Sequence, residues 1–296
     1  MKKTILWASL GLMIACGPSD STNSAESSTS SSSSAGKGLN ITIKGSDTVL
    51  PVSQKERNRF MELNPEANVQ VVGGGSGVGI AALINNTTDI AMVSRDLNYQ
   101  EKNSLALLGK TTERVVLAYD ALAVVVNPNN PMQQLSIKQL ELIYTGKVQN
   151  WNELEDADGN PGPDMTIIPY SRETSSGTYE YFKEVAMHDR EYAPNVLKVP
   201  STQSIVTSVG ETEGAIGYIG VAYISDEVAA VSILNKATEY YIEPTVNFAQ
   251  DNTYPIVRPL YYFFLQEDTD RLKPFLDFIL SEEGQAIIKE VGYVPL

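Results

Sequence analysis

One cysteine, Cys16, and one histidine, His188, stand in a chain of 296 residues. A lone cysteine excludes an intramolecular disulfide. One of each is too few for a His/Cys metal site, and the surface character of the one histidine argues against a Ser-His-Asp triad. His188 lies in a charged stretch, MHDRE, and reads as a surface residue. No Lys/Arg-rich run interrupts an acidic balance of 36 Asp and Glu against 22 Lys and Arg. That excludes nucleic acid as a partner, because its binding rests on clustered cations. A small anion is not excluded, since a site is governed by the groups immediately around it. The apolar run near the N-terminus, Ile5–Ala15, is too short to span a bilayer.

That run follows Lys2 and Lys3 and precedes Cys16, the arrangement of an export signal. Met13-Ile14-Ala15-Cys16 is similar to a bacterial lipoprotein cleavage box, with methionine where such boxes usually carry leucine. Residues 1–15 are therefore expected to be a lipoprotein signal peptide, and Cys16 the lipidated residue that anchors the chain to a membrane. Residues 16–38 are dominated by Ser, Thr, Gly and Ala, with SSTSSSSS at 27–34, and read as a flexible tether. The expected location is the cell envelope outside the cytoplasm, in a periplasm or at the outer surface.

From Leu39 onward, segments of strand and helix character alternate, which predicts an α/β fold with parallel, helix-covered sheets. LNITIKG, VQVVGGG and MTIIPYSR read as strands; PVSQKERNRFMELN, TYEYFKEVAMH and the terminal RLKPFLDFILSEEGQAIIKEV read as helices. Two long apolar segments, near 115–126 and 255–265, bracket the middle of the chain. They suggest one lobe of 39–118 plus 257–296 and a second of 119–256.

Four places share one pattern, in which a strand ends and small or hydroxyl residues follow. They are GSDT at 45–48, GGGSG at 73–77, SRD at 94–96 and RETSSGT at 172–178. In open α/β sheets ligands sit at the carboxyl ends of strands, so these loops are placed to converge. A helix N-terminus there presents free N–H groups and roughly half a positive charge. Serine and threonine add donors, glycine lets the backbone approach, and arginine supplies a two-pronged cation suited to an oxyanion. Each loop taken singly also fits plain helix capping, and Arg95 and Arg172 fit surface ion pairs. Familiar phosphate and nucleophile motifs fail: in LLGKTT the first glycine of a Walker motif is replaced by Ser104, and the G-x-S-x-G frame around Ser76 ends in Val78.

GSDTVLP, VVGGGSGVGIAALINNTTDIAMVSRDL, LELIYTGKVQNWNEL, RETSSGTYEYF and GAIGYIGVAYIS together resemble the phosphate-binding lipoproteins of bacterial ABC phosphate uptake systems, in order and from about residue 40 to the C-terminus. The resemblance implies a two-lobed periplasmic-binding-protein fold of type II, whose lobes close on one inorganic phosphate. It implies a non-enzymatic, monomeric receptor without cofactor or metal, handing the ion to a membrane permease driven by an ATPase. Carried onto this sequence, Ser46, Asp47, Thr48, Ser76, Ser94, Arg95, Arg172, Ser176, Gly177 and Thr178 would hold phosphate. Some members carry an aspartate where Arg95 stands, accepting the proton of HPO4²⁻. Asp47 is the preferred replacement here and Asp96 the runner-up. Sulfate or another tetrahedral oxyanion, a phosphate-locked adhesin or sensor, and an exported phosphatase remain as alternatives.

Overall fold

The computed structural model describes residues 38–296; the expected signal peptide, Cys16 and all but the last residue of the tether lie outside the described residues. The strands are β1 (Asn40–Gly45), β2 (Asn68–Val72), β3 (Ile90–Val93), β4 (Thr112–Val126), β5 (Gln134–Leu135), β6 (Ile168–Arg172), β7 (Leu197–Val199), β8 (Ala215–Gly220), β9 (Ala229–Asn235), β10 (Tyr240–Ile242) and β11 (Val257–Leu265). The helices are α1 (Leu50–Leu63), α2 (Ser76–Ile84), α3 (Tyr99–Leu107), α4 (Ile137–Tyr144), α5 (Gly177–Met187), α6 (Thr202–Gly210), α7 (Val246–Gln250), α8 (Thr269–Leu280) and α9 (Glu282–Val291).

The strands run in the order β2-β1-β3-β11-β4-β8-β6-β7, with β9 also on β4 and joined to β5 and β10. Pairs β1–β2, β1–β3, β6–β7 and β6–β8 are parallel, as alternation predicts. The two long apolar segments depart from that expectation: β11 is antiparallel to β3 and β4, and β4 is antiparallel to β8 and β9. Antiparallel neighbours need no helical crossover, so β11 can return from α7 straight into the gap between β3 and β4. Residues 112–121 of β4 pair with β11, and residues 122–126 pair with β8, so one strand serves two sheets of a two-lobed fold.

Each sheet has its own core. Ile41, Ile43, Val52 and Phe60 pack with Leu272 and Phe275 under α1 and α8, and the Phe60 and Phe275 rings meet edge to face at 5.1 Å. On the other side Tyr144, Trp151, Phe182 and Tyr218 fill the space beneath α4 and α5. The terminal helix expected as one segment is two. Ser281 leaves helical geometry, and its hydroxyl accepts from the Gly284 amide to cap α9. Ser-Glu-Glu-Gly is a start signal, and it outweighs the apolar periodicity running through it.

Candidate functional site: a hydroxyl-lined junction between two sheets

Four strand-end loops supply the site. β1 ends in Gly45, whose φ of +139° is open to glycine, and the chain turns there with the Ser46 amide on the Met92 carbonyl at 2.9 Å. Gly73–Gly75 lead β2 into α2, where Ser76 opens the helix. Ser94 follows β3 directly. Their three hydroxyls form one buried cluster: Ser46 Oγ to Ser94 Oγ is 3.1 Å and Ser76 Oγ to Ser94 Oγ is 3.3 Å. The Ser94 amide donates to Ser76 Oγ at 3.1 Å, which fixes the third loop on the second.

The loop after β6 meets this cluster from the other sheet. Ser176 caps α5, accepting from the Thr178 and Tyr179 amides at 3.2 and 3.4 Å. Its oxygen is thus a cap, as the plain reading allowed, and its proton is left to donate. Gly177 presses on the serines: a Cβ there would fall 2.3 Å from Ser76 Oγ and 2.7 Å from Ser94 Oγ. Thr178 Oγ1 lies 2.9 Å from Thr48 Oγ1, and the Gly77 amide donates to the Ser175 carbonyl at 2.9 Å. Arg172 Nη2 reaches Asp47 Oδ2 at 2.5 Å, while Asp47 Oδ1 accepts from the Gly74 amide at 3.0 Å. Arg172 also donates to Thr202 Oγ1 and the Pro200 carbonyl, at 2.8 and 2.7 Å. Its buried Nε has no hydrogen-bond partner among the described residues.

Arg95 does not join them through its side chain. Both Nη atoms bond Glu101 at 2.8 Å, Nη1 also bonds the Asp96 carbonyl, and Nε lies against Glu180. Glu101 is fixed for this by the capping box of α3, where it accepts from the Asn98 amide. Burial pushes the Glu180 carboxyl up, and Arg95 opposes that rise. Two carboxylates therefore take the guanidinium expected at the anion. Asp96, the runner-up proton acceptor, turns to Arg114 and is 61% exposed, which places its carboxylate outside the junction.

Two residues absent from the sequence-based set stand at the centre. Asp120 and Arg258 oppose each other in register on β4 and β11 and are fully buried. Arg258 Nε and Nη2 donate to Asp120 Oδ2 at 3.0 and 2.9 Å, Nη2 also to Thr48 Oγ1 at 3.2 Å and Thr178 Oγ1 at 3.1 Å, and Nη1 to the Ser94 carbonyl at 3.4 Å. Burial raises the Asp120 carboxyl above its ordinary range, opposed by Arg258 and by the Val221 amide. A signal was present: an acid and a base, each inside an apolar strand, must find a partner when buried. Nothing local in the sequence couples two positions that far apart.

The PBP superfamily domain model matches residues 23–283. The phosphate-binding protein PstS of Pseudomonas aeruginosa is 30% identical over 278 residues, which cover 88% of this chain and 84% of that protein. The Bacillus subtilis protein of the same name is 29% identical, covering 99% and 92%. A crystal structure of a phosphate ABC transporter substrate-binding protein from Clostridium perfringens, with bound phosphate, superposes with a TM-score of 0.77 at 33% identity, covering 87% of this chain and 99% of that one. On these matches the chain belongs to the PBP superfamily and, within it, to the family of PstS phosphate-binding proteins.

Proposed function

We propose that this chain captures inorganic phosphate at the junction of its two lobes and delivers it to an ABC permease for uptake, without catalysing a reaction. The observation that carries the reading is convergence: hydroxyls from four separate strand ends and the N-terminus of α5 gather in one buried place, with Arg172 bonded to Asp47 of the first loop and its Nε–H without a partner among the described residues. A buried dianion must recover its hydration through many hydrogen bonds, and those to charged groups contribute roughly 1.5–3 kcal/mol each. Ser46, Thr48, Ser76, Ser94, Ser176, Gly177 and Thr178 supply neutral donors; Arg172 and Arg258 supply charge. The Arg95 guanidinium is taken up by Glu101 and Glu180.

Phosphate at neutral pH keeps at least one O–H, and sulfate keeps none. A carboxylate in the site accepts from the first and repels the second, a discrimination that reaches about 10⁴–10⁵ where a site demands one hydroxyl. Asp47, oriented by Arg172 and Gly74, takes this part in our reading. The lobes divide at 118/119 and 256/257, and closure bends β4 and β11 near those points. The chain is a monomer held by lipid at Cys16 on the tether of residues 16–38, facing outside the cytoplasm.

Calorimetric titration of phosphate and then sulfate across pH 5–8 tests this. One-to-one phosphate binding with negligible sulfate heat is expected. Equal binding of both removes the proton-acceptor argument, and binding of neither overturns the reading. Asp47→Asn is expected to erode the preference for phosphate; an unchanged preference would reassign the acceptor.

A further inference from the structure

We propose that Arg258, braced by Asp120, is a positioning residue that fixes the hydrogen-bond direction of Thr48 and Thr178, so that this pair always keeps one proton to offer an anion. The inference rests on the phosphate reading and names a control on the same site.

A hydroxyl carries one proton and two acceptor lone pairs and rotates freely, so by itself it serves donors and acceptors alike. A guanidinium has donors only and stays charged at any physiological pH. Arg258 Nη2 has two protons, one on Asp120 Oδ2 and the other shared between Thr48 Oγ1 at 3.2 Å and Thr178 Oγ1 at 3.1 Å, so both threonine oxygens turn a lone pair toward it. The two oxygens are 2.9 Å apart, close enough for one hydroxyl to donate to the other. That uses one of their two protons. The remaining proton has no competing use within the trio and points away from the cation. The trio is thus polarised, with charge at one end and a donor at the other.

The bracing is as specific as the polarity. Asp120 Oδ2 takes two N–H groups of Arg258, and Asp120 Oδ1 accepts from the Val221 amide at 3.1 Å. Both residues sit on the central strands β4 and β11 rather than on the loops they bond, next to the points where the two lobes divide. Arg258 Nη1 also meets the Ser94 carbonyl, which ties the third loop to the same guanidinium. A lysine would keep the charge but could not hold Asp120, Thr48 and Thr178 together, because its ammonium is a compact point on a flexible stem.

Equilibrium phosphate titration of the wild-type chain, Arg258→Lys, Thr48→Val/Thr178→Val and the combined variant tests the idea, with thermal melts to establish folding. Arg258→Lys is expected to weaken phosphate binding about tenfold, on the order of one well-made charged hydrogen bond. In the Thr48→Val/Thr178→Val background the same change should cost less than about twofold, because it acts through those hydroxyls. If Arg258→Lys binds as the wild type does, or if its loss is the same in both backgrounds, the inference is overturned. Should the lysine variant not fold, the neutral pair Asp120→Asn/Arg258→Gln replaces it in the same comparison, with the same two outcomes. A wild-type chain that binds neither phosphate nor sulfate would overturn the phosphate reading as well. Wild-type binding with equal losses in both backgrounds overturns this inference alone.

Discussion

Gly177 is where three loops touch, with Ser76 and Ser94 packed on the face that a side chain would occupy. A methyl group there would need backbone movement in α2 or α5, since Ser76 Cβ, which no rotation moves, would lie 2.9 Å away. Gly177→Ala is therefore expected to weaken phosphate binding by about 5- to 150-fold, on the order of the 1–3 kcal/mol of overpacking; an unaltered isotherm would mean that the anion binds elsewhere. Glu56 makes a different residue-scale case. It is fully buried on the inner face of α1, with Tyr262 donating to one oxygen and the other without a hydrogen-bond partner among the described residues. Burial raises its carboxyl well above the ordinary value. The folded state thus holds a proton that the unfolded chain releases, and stability falls as pH rises from the unfolded value toward the folded one. Glu56→Gln has no proton to lose, so its melting temperature relative to wild type should climb between pH 4.5 and pH 8. A flat difference would show that Glu56 titrates normally. The hydroxyls and glycines of the candidate site were legible because four strand ends carry the same pattern, although each loop alone also fits plain helix capping. Asp120 and Arg258 were not, because each looks like a flaw in an apolar strand until its partner is known.

At the scale of elements, β3 and α3 show how neighbours in sequence can part in space. Ser94 enters the hydroxyl cluster, yet the next residue turns to Glu101 and Glu180. The sequence holds both acids, but only the capping box of α3 and the first turn of α5 bring them to Arg95. If Arg95 served the anion, removing its competitor Glu180 would free it. Its placement instead leads us to expect no tightening of phosphate binding in Glu180→Gln, by the same titration; tighter binding would return Arg95 to the anion. The break between α8 and α9 has its own consequence. Ser281→Ala removes the cap on Gly284 and should cost about 1 kcal/mol in a denaturant melt, with the m-value unchanged. A loss near zero would mean that solvent replaces the cap.

Across the whole molecule, alternation of strands and helices was enough to give the fold class, because each element carries its own periodicity. The order of strands was not, since β11 pairs with β4 across more than a hundred residues and no local pattern encodes that choice. The long shared strand couples the two sheets, so thermal unfolding is expected as one calorimetric transition. Phosphate at 100 times its dissociation constant should add about 2.7 kcal/mol to that transition. Two separated transitions, with phosphate moving only one, would show that the sheets unfold independently.

The position of β11 also bears on how the chain is made. Synthesis runs from the N-terminus, and β1, β2 and β3 are all finished before residue 100, but the strand that joins them to β4 spans Val257–Leu265. Until those residues appear, β3 and the first part of β4 each present an unpaired edge. A nascent chain is therefore held short of its native state almost to its end, and a fragment stopping before residue 257 should be cut rapidly by proteases that leave the full chain intact.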